Sequence, residues 1–213
     1  MENKLLEKLV DKSISKEQLA GKVKNNFDLL PEIVDGMNSS KAAIRYGCGK
    51  VLMDLSEEHP EKIYPHWDSF VELLNSKYRI LIWQSMAIIA NLTKADKENK
   101  FETIFDKYYG LIDNDYMVTV ANVIGNSRKI VLAKPYLLQR ITNEMLKVEN
   151  ISITPHLTEE CKRVIVEKTI QSFDMFFDKI EQKDKIISFV EKHVNSSRKA
   201  LKDEANNFLK KWN

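Results

Sequence analysis

Glycine and proline are scarce in this chain, six and five among 213 residues. That is too few for a turn-rich β architecture and favours long helices. Cysteine is scarcer still: Cys48 and Cys161 fall in two different expected helices, so no disulfide framework is implied and a reducing cytoplasm is the expected location. Neither sign of charge dominates, because 33 Lys and Arg against 31 Asp and Glu leave a net +2 with the signs interspersed. Such a balance does not advertise nucleic-acid binding. Long apolar runs are also missing. The longest, residues 80–83 and 86–90, fall far short of a membrane span, so no membrane partner is expected. Met1, Glu2, Asn3 and Lys4 lead into an amphipathic segment rather than the apolar core of a signal peptide.

The usual marks of a metal or cofactor site are absent too. His59, His66, His156 and His193 come with no His-Glu-x-x-His pair, no paired cysteines and no EF-hand loop. The run Asp113-Asn114-Asp115 resembles the opening of a calcium loop but lacks the following glycine and the distal glutamate, and it reads as a helix N-cap. Gly47 and Gly49 lie inside a helical phrase, where they suit close helix packing and not a phosphate cradle. No cofactor, no metal ligand and no catalytic residue is expected, and the chain reads as a non-enzyme.

What is present is a repeated helical phrase. SSKAAIRYGCGKVLMDL, from Ser39, matches NSKYRILIWQSMAIIANL, ending at Leu92, at a spacing of 37. Ser39 falls over Ser76, Ile44 over Leu81, Tyr46 over Trp83, Cys48 over Ser85, Asp54 over Asn91 and Leu55 over Leu92. Ile44, Cys48, Val51, Leu52 and Leu55 form one helical stripe. The small residues at its middle mark where a neighbouring helix must come close. A third copy, Val123-Ile124-Gly125-Asn126, follows Ile88-Ile89-Ala90-Asn91 at a spacing of 35. Repeats of this period mean a solenoid or an array.

The rest of the chain reads as helices between these phrases. Residues 2–12 suggest a short N-terminal helix, and Ser15 with Gln18 has the spacing of a capping box opening the next. Pro31 should kink or break that helix, and Gly36 should end it. Ser39 or Ser40 is expected to cap the first phrase, and His59-Pro60 to stop it. Ile63, Trp67, Phe70 and Leu74 make the next stripe, residues 94–100 a charged turn, and Phe101, Phe105, Tyr108 and Ile112 another stripe. After a helix opened by Pro135, residues 150–156 break the rhythm with an extended-looking stretch, either a contact surface or an insertion. The longest helix is expected from Thr158 to about residue 181, and a lysine-rich helix after Ser196-Ser197 closes the chain.

Ile44-Arg45, Cys48-Gly49, Leu52 and Leu55 resemble the HEAT-repeat motif, and Leu81-Ile82, Ser85-Met86, Ile89-Ala90 and Leu92 follow it with the arginine replaced. The resemblance covers residues 16–212 and implies an all-α, armadillo-like α-α superhelix of about five helical hairpins plus an N-terminal helix. On this reading residues 1–213 form one repeat domain. The resemblance also implies a binding scaffold whose second helices line a concave face, with a protein or peptide as partner. HEAT-like DNA-alkylation-repair glycosylases are similar in size, and they supply the alternative of a nucleic-acid binder, although no motif carries their catalytic residues onto this chain.

Two surfaces bear on that choice. Tyr46, Lys50 and Asp54 fall on one side of the first phrase, Trp83 and Asn91 on the second, and Asn122 and Asn126 on the third. They make a candidate binding ladder of aromatic anchors and hydrogen-bonding groups, or else a set of hydrogen bonds tying repeats together. Basic residues recur at helix starts: Lys41 and Arg45, Lys77 and Arg79, Lys162 and Arg163, Arg198 and Lys199. They would bind phosphates along a groove, or form a solvated, ion-paired face.

Overall fold

A computed structural model describes residues 4–212; the start of the first expected helix at residues 2–3, and residues 1 and 213, lie outside them. Among the described residues every regular element is helical, and the chain divides between residues 104 and 105 into two compact units. The first holds α1 (Lys4–Val10), α2 (Lys16–Asn25), α3 (Leu30–Gly36), α4 (Ala42–Glu58), α5 (Pro60–Ile63), α6 (Trp67–Leu73) and α7 (Arg79–Leu92). The boundary falls within α8 (Lys100–Tyr109). The second unit continues with α9 (Met117–Ala133), α10 (Leu138–Leu146), α11 (Glu159–Asp174), α12 (Lys183–Glu191) and α13 (Lys199–Trp212).

The repeated phrases are α4, α7 and α9, whose first residues are Ala42, Arg79 and Met117. Between them the expected single helices are broken into pieces. Pro31 does not kink a continuous helix; α2 ends at Asn25, a short 3-10 turn follows, and Pro31 sits in the first turn of α3, where its missing N–H goes unnoticed. Pro65 and Pro135 likewise open 3-10 turns ahead of α6 and α10. The capping box forms as the spacing requires, with Ser15 and Gln18 satisfying each other's backbone N–H.

The serines before α4 act differently from the expectation. The N-cap residue is Lys41, with no side-chain cap, and Ser39 Oγ instead accepts a hydrogen bond from the Lys41 N–H at 3.2 Å. The same corner recurs as Ser76 to Tyr78, Asn114 to Tyr116 and Ser196 to Arg198. These are ST and Asx turns, which fix the backbone two residues ahead of the helix and not its first turn. Thr158 is a true cap, accepting from the Cys161 N–H. Its helix is shorter than the sequence suggests, however. It stops at Asp174, and Phe176 and Phe177 enter the core from a turn.

In the first unit α4 packs on α7 and on α1, α2 and α3, and the small residues of the phrase lie where the backbones approach. A Cβ on Gly49 would stand 2.0 Å from Gln84 Oε1. Gly36 ends α3, but not through a left-handed conformation, since no glycine has positive φ; a Cβ there would meet Cys48 Sγ at 2.5 Å. We therefore expect Gly36→Ala to cost about 1 to 3 kcal/mol, as overpacked cores do, outweighing a gain in helix propensity of up to about 1 kcal/mol. Cys48→Ala in the same chain should recover part of the loss, and melting curves of the single and double variants check it.

Side chains join one repeat to the next. Gln84 Nε2 donates to the Tyr46 carbonyl, 38 positions away, and Asn91 Nδ2 to Ser56 Oγ, 35 away. Tyr64 donates to Asp96, 32 away. In the second unit Arg140 reaches Asp106 (34 away), Thr154 Oγ1 the Asp115 carbonyl (39) and Trp212 Nε1 the Asp174 carboxylate (38). The irregular stretch after Asn150 is thereby anchored: Ile151 and Leu157 are buried, and His156 stacks on Tyr116 at 4.5 Å.

Candidate functional site

The seven residues expected to form a binding ladder separate into two groups. Asn91 is 2 % exposed, its amide held by Ser56 Oγ at 2.9 Å and the Met53 carbonyl at 3.4 Å. It therefore ties α7 to the end of α4 and offers nothing to a partner. Asn126 is likewise buried, and hydrogen-bonds the enclosed Tyr108 phenol, whose pKa burial pushes well up. Asn122 turns its amide onto the Val118 carbonyl of its own helix at 2.8 Å. The placement of Asn91 and Asn126 on a binding surface is corrected accordingly; buried amides at repeat positions serve the packing.

Tyr46, Lys50 and Asp54 on α4, and Trp83 on α7, remain at the surface of the first unit. Lys50 and Asp54 pair across one helical turn at 2.6 Å, a contact that contributes little on an exposed face. Tyr46 is half-buried and meets Tyr78 edge-on at 6.5 Å, while the Arg45 guanidinium lies 3.8 Å from the Tyr78 ring centre. Arg45 also donates to the Ser39 and Ser40 carbonyls, so it holds the corner into α4 and stiffens the platform under Tyr46.

Beside Tyr46 opens a groove of about 690 Å³. Leu9, Ile14, Ala42, Ala43, Gly47 and the tyrosine ring form its apolar lining, and Lys12, Ser15, Lys16, Glu17 and Gln18 its polar lining. Lys12 has φ 61, the left-handed region that costs an ordinary residue roughly 1 kcal/mol, and Asp11 holds the turn by accepting from the Ser13 N–H at 2.8 Å. The Glu17 carboxyl is held below its usual range, first by the Ser15 hydroxyl and also by the Lys16 and Lys50 charges. No sequence signal marked this groove, because it arises where the α1–α2 turn meets the start of α4.

Several of the basic residues at helix starts are engaged by neighbours. Lys41 pairs with Glu7 at 2.8 Å, Arg163 with Glu160 at 3.3 Å, and Arg198 with Glu160 at 2.6 Å and Glu167 at 2.8 Å. Lys162 donates to the Ile151 carbonyl. Among the described residues no group of three or more His, Cys, Asp and Glu is placed to hold a metal. Burial pushes the Cys48 thiol up to about 12, which leaves it protonated and unreactive.

No family model and no curated protein sequence matches the chain. Among solved structures it is similar to designed armadillo repeat proteins. One, YIII(Dq)4CqI, is 18 % identical, with 98 % of this chain and 92 % of that one aligned at a TM-score of 0.58. Another, YIII(Dq.V1)4CPAF in complex with the peptide (KR)4, is 16 % identical, covering 98 % and 91 % at a TM-score of 0.61. The fold is that of an all-α, armadillo-like helical-repeat solenoid.

Proposed function

We propose that this armadillo-like chain is a non-enzymatic scaffold that binds a peptide segment of a partner protein on the α4–α7 face of its first unit. The observation that carries the reading is the placement of Tyr46 and Trp83, half-buried aromatics on consecutive packed second helices, with Tyr46 itself lining a groove. Aromatic rings held on rigid helices lose little entropy on binding and dominate interface energetics. Lys50, Asp54 and Glu17 supply polar partners for a peptide backbone or its charged side chains. The peptide bound by a solenoid of the same fold lends support by analogy of architecture. Ion pairs of Lys41, Arg163 and Arg198 with carboxylates weigh against a continuous basic groove for nucleic acid.

The test is selection from a displayed random-peptide library, followed by fluorescence anisotropy with the selected peptides. Tyr46→Ala and Trp83→Ala should each weaken binding by about tenfold or more, the loss typical of a truncated hot spot. Ser188→Ala, on an exposed position of α12 in the second unit, should leave binding unchanged. Selected peptides that bind both aromatic variants as tightly as the parent chain would sink the proposal, as would a library that yields no binder.

A further inference from the structure

The second unit contains a cavity that the peptide reading does not use. It lies where the first two turns of α11, the residues after α12 and the turn into α13 converge, and measures about 320 Å³. Lys162 and Arg163 line it from α11, His193 from beyond α12, and Ser196 and Ser197 from the turn. Lys162 and Arg163 face one lining acid, Glu159, and Glu160 outside the lining pairs with Arg163.

Each of these groups retains hydrogen-bonding capacity. The Lys162 ammonium donates to the Ile151 carbonyl at 3.2 Å and has two further N–H groups. Arg163 meets Glu160 through Nη1 at 3.3 Å, leaving most of its five donors. Ser196 Oγ accepts from the Arg198 N–H, so its own O–H is available to donate. His193 supplies the least expected feature. Its Nε2 is enclosed yet makes no hydrogen bond, while its ring packs edge-on against Phe189 at 5.3 Å. An enclosed polar atom without a partner is costly, and a ligand oxygen reached by a small turn of the ring would relieve it.

We propose that this cavity binds a phosphate monoester, with Lys162 and Arg163 facing its two negative charges and the Ser196 and Ser197 hydroxyls and the His193 imidazole donating to its oxygens. Several donors converging with two cations suit a tetrahedral dianion better than a planar carboxylate, which has only two oxygens to offer. The volume leaves room for the ester carbon chain beside the phosphoryl group. The site is independent of the peptide face and stands or falls without it.

Proton linkage adds a signature. Burial is the main reason that the His193 pKa lies below its ordinary value; the Lys162 and Lys192 charges push the same way, and Glu149 opposes them. A bound dianion opposes those cations and favours the protonated ring, so ligand should raise the His193 pKa.

The experiment is an NMR titration of the full chain with inorganic phosphate and with O-phosphoserine, using serine and sodium chloride as controls. We expect saturable movement of the His193 ring resonances with both phosphates, a raised His193 pKa, and little response to the controls. Lys162→Gln should weaken binding by about tenfold, the scale of one charge-assisted hydrogen bond. Ser197→Asp puts a carboxylate at an exposed position on the mouth and should abolish binding without lowering the melting temperature. A short phosphoserine peptide that binds more tightly than O-phosphoserine would identify a partner's modified side chain as the source, and one that binds more weakly a free small phosphomonoester. Three results would overturn the proposal: His193 resonances that do not move, shifts that chloride reproduces at equal ionic strength, or unchanged binding by the Ser197→Asp chain. Binding of inorganic phosphate without O-phosphoserine would overturn it equally, since the cavity would then not admit an ester.

Discussion

Truncating Trp67 to alanine should cost about 3 to 5 kcal/mol of folding stability, the usual loss for a large aromatic removed from a core. Trp67 opens α6 at 1 % exposure, with the Tyr64 ring 5.8 Å away, and α6 packs on α7. The cavity left behind would be lined by well-anchored neighbours and would not collapse. At roughly 2 to 4 °C per kcal/mol, the melting temperature should fall by about 10 °C. Trp83→Ala supplies the contrast, because a half-buried ring loses less contact and leaves less void; its cost should be below half that of Trp67→Ala. Equal losses in the two variants would assign Trp83 to the core and withdraw it from the proposed peptide face.

Asp96→Ala should be nearly as damaging, at about 3 to 4 kcal/mol, combining a lost helix cap with a lost hydrogen bond to a charged acceptor. The carboxylate is 6 % exposed, and its two oxygens accept from Lys100 N at 2.8 Å, Phe101 N at 2.9 Å and the Tyr64 hydroxyl at 2.7 Å. One side chain thus closes the N-terminus of α8 and fastens it to the 3-10 turn before α6. Burial, reinforced by the Asp96 hydrogen bond, raises the Tyr64 pKa and keeps the phenol a donor. Tyr64→Phe removes one of the three contacts and should cost about 1 to 2 kcal/mol. Thermal melts of both variants decide the matter: an Asp96→Ala chain no weaker than Tyr64→Phe would show that the carboxylate does not close the helix.

Asp96 also shows where the sequence stops being readable. It stands in a run of lysines, glutamate and asparagine that has the composition of a solvated turn, and nothing local distinguishes it from Glu98. Its role depends on Tyr64, one repeat earlier in the chain. Asn91 misleads for a related reason. The helical period identifies an exposed face only when a helix has one, and α7 is enclosed on every side from Gln84 to its end, so its polar residues face neighbours and not water. Where the determinants are local, the reading succeeds. The apolar stripe of α4, the capping box of α2, the proline stop after His59 and the Thr158 cap all follow from residues within about two helical turns. The groove beside Tyr46 and the cavity at His193 are made by segments meeting in space, and no stretch of sequence announces either.

The side-chain links from one repeat to the next bear on how the chain reaches its fold. Those described here from Gln84, Asn91, Tyr64, Arg140, Thr154 and Trp212 span 32 to 39 residues. Closing a loop costs entropy that grows with the logarithm of its length, so no link in this set carries the penalty of joining distant parts of the chain. Each can form once its own stretch of about forty residues has left the ribosome, and short-range contacts of this kind favour fast folding. None of these six links has to wait for a distant part of the chain, and each can close while the rest is still being made.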